Sequence, residues 1–144
     1  MPQDAIDTIL RIAREKNARL IVKSKSMVSE EIGLNKALEK DGLQVVETDL
    51  GEWIIQLAGD RPSHITAPAL HLTKEKIAEV ISRHLGRTVP ADTREIVRIA
   101  REEMRKHFIQ ADIGISGANL AVAESGTLVI VSNEGNVRLA TSLP

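Results

Sequence analysis

Between Ala111 and Pro144 the chain reads A-D-I-G-I-S-G-A-N-L-A-V-A-E-S-G-T-L-V-I-V-S-N-E-G-N-V-R-L-A-T-S-L-P. Apolar runs alternate there with turns built from Gly, Asn and Ser, and each turn carries a carboxylate or a carboxamide. Loops on a rigid scaffold are where binding and catalytic groups concentrate, so three polar turns along consecutive strands read as one rim of one site. Glu124, followed by Ser125 and Gly126, is the candidate catalytic residue. A carboxylate at a strand-to-strand turn, near Asn119, Asn133, Glu134 and Asn136, has the chemistry of a nucleophile or base with carboxamide donors around it. Gly126 permits close backbone approach or a positive φ at that point.

A second set of groups lies in K-S-K-S-M-V-S-E-E, where a strand runs into Lys23, Ser24, Lys25 and Ser26 and opens into a helix. Backbone N–H groups, hydroxyls and ammoniums at a strand's C-terminal end are anion-binding chemistry. The Gly-rich spacing of a phosphate-cradling loop is absent, so triphosphate binding does not follow. An N-cap followed by solvated lysines is the structural alternative. Glu47, Asp49 and Glu52 leave the next strand together, as a general acid–base group or as ordinary turn and cap residues. His64 and His71 flank Pro68 at a spacing that matches no recognised metal-ligand pattern. His84 and His107, on the last turns of helices, read as dipole-favoured surface groups.

These groups require a β–α–β framework. Asp4 precedes a helix with Ile6, Ile9, Leu10 and Ala13 at helical spacing, running to about Asn17. Leu20-Ile21-Val22 reads as a short buried strand. A helix then starts near Ser26 or Ser29 and stops at Asp41-Gly42, and Gln44–Thr48 reads as the next strand. A parallel pair with a right-handed crossover is the expected arrangement. Asp49 to Gly59 favours a short helix. Ile77, Val80, Ile81 and Leu85 define another, closed by Gly86. Asp92 with Glu95 forms a capping-box start for a long helix reaching about Ile109. Strands are expected at 112–116, 119–123 and 127–132. The fold class is α/β, a mainly parallel sheet with helices on both faces and an antiparallel pair late in the chain.

At 144 residues the chain has the length of one domain, and a domain of that size buries roughly 70% of its extended surface. Its apolar fraction of 42% is aliphatic, since Trp53 and Phe108 are the only aromatics. Aromatic stacking on single-stranded nucleic acid is therefore nearly excluded. Nineteen basic residues against twenty acidic ones leave no footprint for nucleic acid. The chain contains no cysteine, which removes disulfides, thiolate zinc sites, catalytic thiols and cysteine-held clusters. No signal peptide or long apolar span is legible, and the expected location is cytoplasmic.

At K-S-K-S-M-V-S-E-E-I-G-L-N, E-T-D-L-G-E-W-I-I-Q-L, R-P-S-H-I-T-A-P-A-L-H and the whole of Ala111–Leu139, the chain closely resembles the LUD-domain family. The resemblance covers residues from about Asp4 to Pro144. It implies a fold like that of ribose-phosphate isomerases and CoA-transferases, and a part in oxidising L-lactate to pyruvate with partner subunits. It also implies 4Fe–4S clusters, held in the full-length family protein by a ferredoxin-like segment downstream of the LUD domain. By the same resemblance residues 1–144 are a LUD domain truncated at both ends, and without cysteine the chain holds no cluster itself. The expected ligand is a small carboxylate or phosphate, bound by Lys23, Lys25 and Ser26 on one side and Asn119 and Glu124 on the other. Asn133, Glu134 and Asn136 complete the binding set. The alternatives are a free-standing isomerase- or CoA-transferase-like enzyme using Glu124, and a non-catalytic domain that docks partner subunits.

Overall fold

The computed structural model describes residues 1–63, 67–132 and 134–143. His64 and Asn133 lie outside the described residues. The chain divides into two compact units, one formed by residues 1–46 and 107–144 and the other by 47–106.

The first unit is built around strand β1, Leu20–Lys23, whose four residues are all buried. It is the middle strand of a three-stranded sheet of order β2-β1-β3, with β2 at Gln44–Glu47 and β3 at Ile113–Ile115. The sheet is mostly parallel, and β1 pairs with β3 through Ile21–Ile113, Val22–Gly114 and Lys23–Ile115. A continuous apolar run suits a strand with neighbours on both edges. Asp112 fixes where the pairing starts. Its Oδ2 accepts the backbone N–H groups of Arg19 and Leu20 at 2.7 and 2.9 Å, and its own N–H donates to the Leu20 carbonyl. Those donors, Leu20 first and then Arg19, hold its carboxyl below the usual carboxylate range.

Flanking helices close the core. Helix α1 (Pro2–Glu15) contributes Ile6, which clusters with Ile21, Leu34, Leu38 and Val45. The end of α1 is tied to the end of α3 by two bonds from the Arg14 guanidinium to Asp41. The single helix expected from about Ser26 to Asp41 is instead two, α2 (Met27–Glu31) and α3 (Leu34–Lys40). Gly33, at φ +67°, breaks it. The left-handed conformation open to glycine redirects the chain, so that Leu34 and Leu38 face the core.

The late antiparallel pair is present as a separate two-stranded sheet, β4 (Leu120–Val122) with β5 (Thr127–Val129). Both strands are shorter than their apolar runs. A further helix, α7 (Asn136–Ala140), was not expected from the sequence and packs on β3. The contact requires Gly114, where a Cβ would lie 1.6 Å from the Ala140 carbonyl oxygen.

The second unit holds helices α4 (Leu50–Ala58), α5 (Lys74–Leu85) and most of α6 (Thr93–Gln110). The short helix expected after Asp49 is therefore present, and α5 ends at Gly86 in the left-handed conformation, as read. Asp92 Oδ1 accepts the N–H groups of Arg94 and Glu95, so the expected cap of α6 forms. Trp53, 2% exposed, meets the His84 ring edge-on with centroids 6.2 Å apart. Among the described residues no helix is long and apolar enough to cross a membrane.

Candidate functional site

Strands β1 and β3 run parallel and end side by side, at Lys23 and Ile115. Because β2 lies on the other side of β1, the strand order reverses between β1 and β3. In open α/β sheets a ligand crevice lies outside the carboxyl ends of strands at such a reversal, where the following loops diverge. Here the two loops are Ser24–Ser26 and Ser116–Asn119, and they carry hydroxyls and little bulk.

Their geometry follows from the strand pairing. The Ser24 N–H donates to the Ile115 carbonyl at 2.9 Å, extending the ladder by one residue. That brings the Ser24 hydroxyl within 3.0 Å of the Ser116 hydroxyl, which in turn donates to the Gly117 carbonyl at 2.9 Å. Gly117 then passes close over Ser26, so that a Cβ would come within 3.1 Å of Ser26 Oγ. Ser26 is the N-cap of α2, and its Oγ accepts the Ser29 N–H at 3.3 Å. Ser29 Oγ donates back to the Ser26 carbonyl at 2.7 Å.

Lys23 is the surprise in this arrangement. Rather than a solvated lysine it is 0% exposed, and its Nζ donates to Ser29 Oγ at 3.1 Å. An enclosed ammonium is tolerated only when hydrogen-bonded, and the Ser29 hydroxyl is one of its acceptors. Lys23 therefore lies under the loop that the sequence reading placed it on. Lys25 and Ser26 are both half-buried. Among the sequence candidates, Lys23, Lys25 and Ser26 are brought together. The reading had the Ser24 hydroxyl in the same run but missed Ser116 and Gly117; the available signal was the matching S-K-S and I-S-G at the ends of two parallel strands.

Asn119 and Glu124 do not share one rim. Asn119 stands at the open end of the β4–β5 ribbon, where its Oδ1 accepts the Val131 N–H at 2.8 Å. Glu124 sits at the opposite end, in the turn that Ser125 and Thr127 close by a 2.8 Å hydroxyl bond. Strand rise puts residues 119 and 123 about 13 Å apart, and a hairpin necessarily carries its turn away from its base. Glu124 and Glu134 are exposed, whereas Asn136 is 6% exposed as the first residue of α7. Asn133 lies outside the described residues.

The remaining candidates fall elsewhere. Glu47 and Glu52 are buried, and Asp49 takes the N-cap position of α4. The Glu47 N–H donates to Gln56 Oε1 at 3.0 Å. His71 Nε2 donates to Asp60 Oδ2 at 3.0 Å. That contact first, and the Arg61 N–H second, hold the Asp60 carboxyl below its ordinary value. His84 is exposed and His107 half-buried. Among the described residues no group of three or more His, Asp or Glu side chains is placed to hold a metal ion.

Comparison with known proteins places this geometry in context. A relative from Exiguobacterium named lactate utilization protein B is 53% identical over 143 residues, covering 99% of this chain and 30% of the relative. A protein of the same name from Geobacillus kaustophilus is 55% identical over the same shares. An Escherichia coli protein named uncharacterized electron transport protein YkgF is 49% identical over 142 residues, again 99% of the chain and 30% of the relative. The chain thus spans just under a third of the length of these relatives. No solved structure matches it. The family model described as LUD domain matches residues 2–144, and the chain belongs to the LUD-domain family.

Proposed function

We propose that this chain is the LUD module of a lactate-utilization protein, serving the oxidation of L-lactate to pyruvate within a multi-subunit electron-transfer complex. The observation that carries the reading is that a relative about half identical across 99% of the chain bears the name lactate utilization protein B. The location that goes with this reading is the cytoplasm. The finer fold assignment, to the ribose-phosphate isomerase and CoA-transferase type, belongs to the same proposal and is supported by family membership together with the β2-β1-β3 order.

Within that role the module binds a small carboxylate in the crevice between the loops following β1 and β3. Lys25 supplies a cation, Ser24, Ser26 and Ser116 supply hydroxyls, and Gly117 lets the backbone approach closely. The buried Lys23 holds the start of α2 in place through its bond to Ser29 Oγ. Oxidising L-lactate releases two electrons and two protons. With no cysteine, the residues present do not fit an iron–sulfur cluster, so electron transfer belongs to other polypeptide.

A thermal-shift titration with L-lactate, pyruvate, coenzyme A and a sugar phosphate tests the site. Saturation at 100 times the dissociation constant stabilises by about 2.7 kcal/mol. The expected result is a rise with L-lactate or pyruvate that Lys25→Ala and Ser26→Ala abolish. A rise with coenzyme A or sugar phosphate alone would move the reading to a transferase or isomerase. The role itself is tested by growth on L-lactate of a strain lacking its lactate utilization protein B. The strain is complemented by the Geobacillus kaustophilus protein with these 144 residues exchanged for their counterpart. Soluble, well-expressed protein without growth would overturn the assignment.

A further inference from the structure

The β4–β5 ribbon has apolar side chains open on both sides. Leu120, Val122, Leu128, Val129 and Val131 are between 40% and 76% exposed. Leu120 pairs with Val129, Ala121 with Leu128 and Val122 with Thr127, and directly opposed residues of an antiparallel pair project to the same side. One face therefore carries Leu120, Val122, Val129 and, two residues on, Val131. The other carries Leu128.

The ribbon is also incomplete as a sheet. Among the described residues it forms a two-stranded sheet of its own with no third strand on either outer edge, and an isolated hairpin is marginal in water. The run Thr127-Leu128-Val129-Ile130-Val131 has the composition of a five-residue strand, yet the ladder stops at Val129. From Asn119 to Ser132 the only ionisable residue is Glu124, at the turn. What covers this surface must itself be apolar and uncharged, and must present a row of backbone donors and acceptors. A β-strand meets both needs. Nucleic acid and anionic lipid bring phosphates for which the ribbon has no cation.

The relatives supply the occupant. Their alignment runs through the ribbon and accounts for 30% of their length, so in them a ribbon of similar sequence is joined to a much longer polypeptide. A tethered strand is present at high effective concentration without any second molecule. We propose that β4–β5 is the receiving edge for an uncharged apolar β-strand supplied in cis by the additional polypeptide that the relatives carry. That strand lies along β5 and extends its ladder through Val131. The inference rests on family membership, whatever ligand the domain takes.

Backbone hydrogen exchange tests it, comparing these 144 residues alone with the same residues grafted into the Geobacillus kaustophilus relative. The Val131 N–H and the Val129 carbonyl already face Asn119, so the amides of Leu128 and Ile130, which point to the outer edge, should exchange about 100-fold more slowly in the graft, while those of β1 stay protected in both. Equal rates at Leu128 and Ile130 would overturn the proposal. So would concentration-dependent protection in the short chain accompanied by dimerisation, which would make a second copy the occupant. If the graft does not fold, the aligned amides of the unmodified relative take its place. As a second readout, Val131→Lys should shift the melting temperature of the short chain by less than about 1 °C, because the side chain is already in water. It should lower that of the graft by several degrees, and equal shifts would also overturn the idea.

Discussion

Gly114→Ala probes the packing that holds β3, which carries Ser116 and Gly117 at its end, in place. A Cβ at this position would lie 1.6 Å from the Ala140 carbonyl oxygen, 2.6 Å from its carbonyl carbon and 3.2 Å from its Cα. All three are main-chain atoms, so no rotamer change relieves the clash. Non-bonded carbon finds its optimum at about 3.5 Å, which requires α7 to retreat from β3 by roughly 2 Å. A gap of about 1 Å already forfeits up to half of the dispersion well, and the larger gap separates the surfaces. Ala140 and Asn136, 2% and 6% exposed, then meet water. Overpacking of this kind costs about 1–3 kcal/mol, and main chain on both sides puts this substitution at the upper end. For a chain of this length the melting temperature should fall by ~6–12 °C, measured by calorimetry with urea unfolding as a check. Gly117→Ala is the control. Its Cβ would meet Ser26 Oγ at 3.1 Å and Ser26 Cβ at 3.2 Å, and a swinging hydroxyl absorbs most of that for under about 1 kcal/mol. A Gly114→Ala chain melting within about 2 °C of the parent would refute the account of α7 on β3.

Lys23→Met keeps the length of the enclosed side chain and removes its ammonium, leaving Ser29 Oγ without that donor. The urea midpoint should report a loss of about 1–3 kcal/mol, and a variant as stable as the parent would show that the buried charge does nothing for the fold. Ser24→Ala breaks the hydroxyl bond to Ser116 and should cost about 1 kcal/mol, with weaker carboxylate binding in the same titration; unchanged affinity would remove Ser24 from the site. Asp112 sets an acid limit. Its folded pKa lies below the ordinary 3.8 because backbone N–H groups hold the carboxylate. The unfolded chain therefore binds more protons there, and the contribution, fully present above pH 3.8, is lost as pH falls through the folded value. Asp112→Asn should flatten the midpoint-against-pH curve below pH 4, and an unaltered curve would sink the assignment.

Much of the framework was legible in the residues because its causes are local. Asp92 caps α6, Gly86 ends α5, and Leu20-Ile21-Val22 is a strand, each for reasons contained within a few neighbouring positions. The motifs that carry the family likeness are local as well. What failed to read through depends on residues far apart in sequence. Gly33 was one glycine among several until its φ of +67° split a helix. No element was expected at residues 136–140, and α7 gains its place from a glycine on β3 that leaves room for Ala140.

The candidate site divides in the same way. Types and spacing alone placed hydroxyls and ammoniums together at the end of β1, because a strand running into a capped helix fixes where they emerge. They also determined family membership and the absence of thiol chemistry. Tertiary structure alone decided that Lys23 is enclosed while Lys25 is only half-buried. It decided too that Ser116 and Gly117 face Ser24 and Ser26, and that Glu124 lies a ribbon's length from Asn119. Burial and adjacency of this kind come from pairing β1 with a strand some ninety residues away, and no short-range pattern encodes that partner.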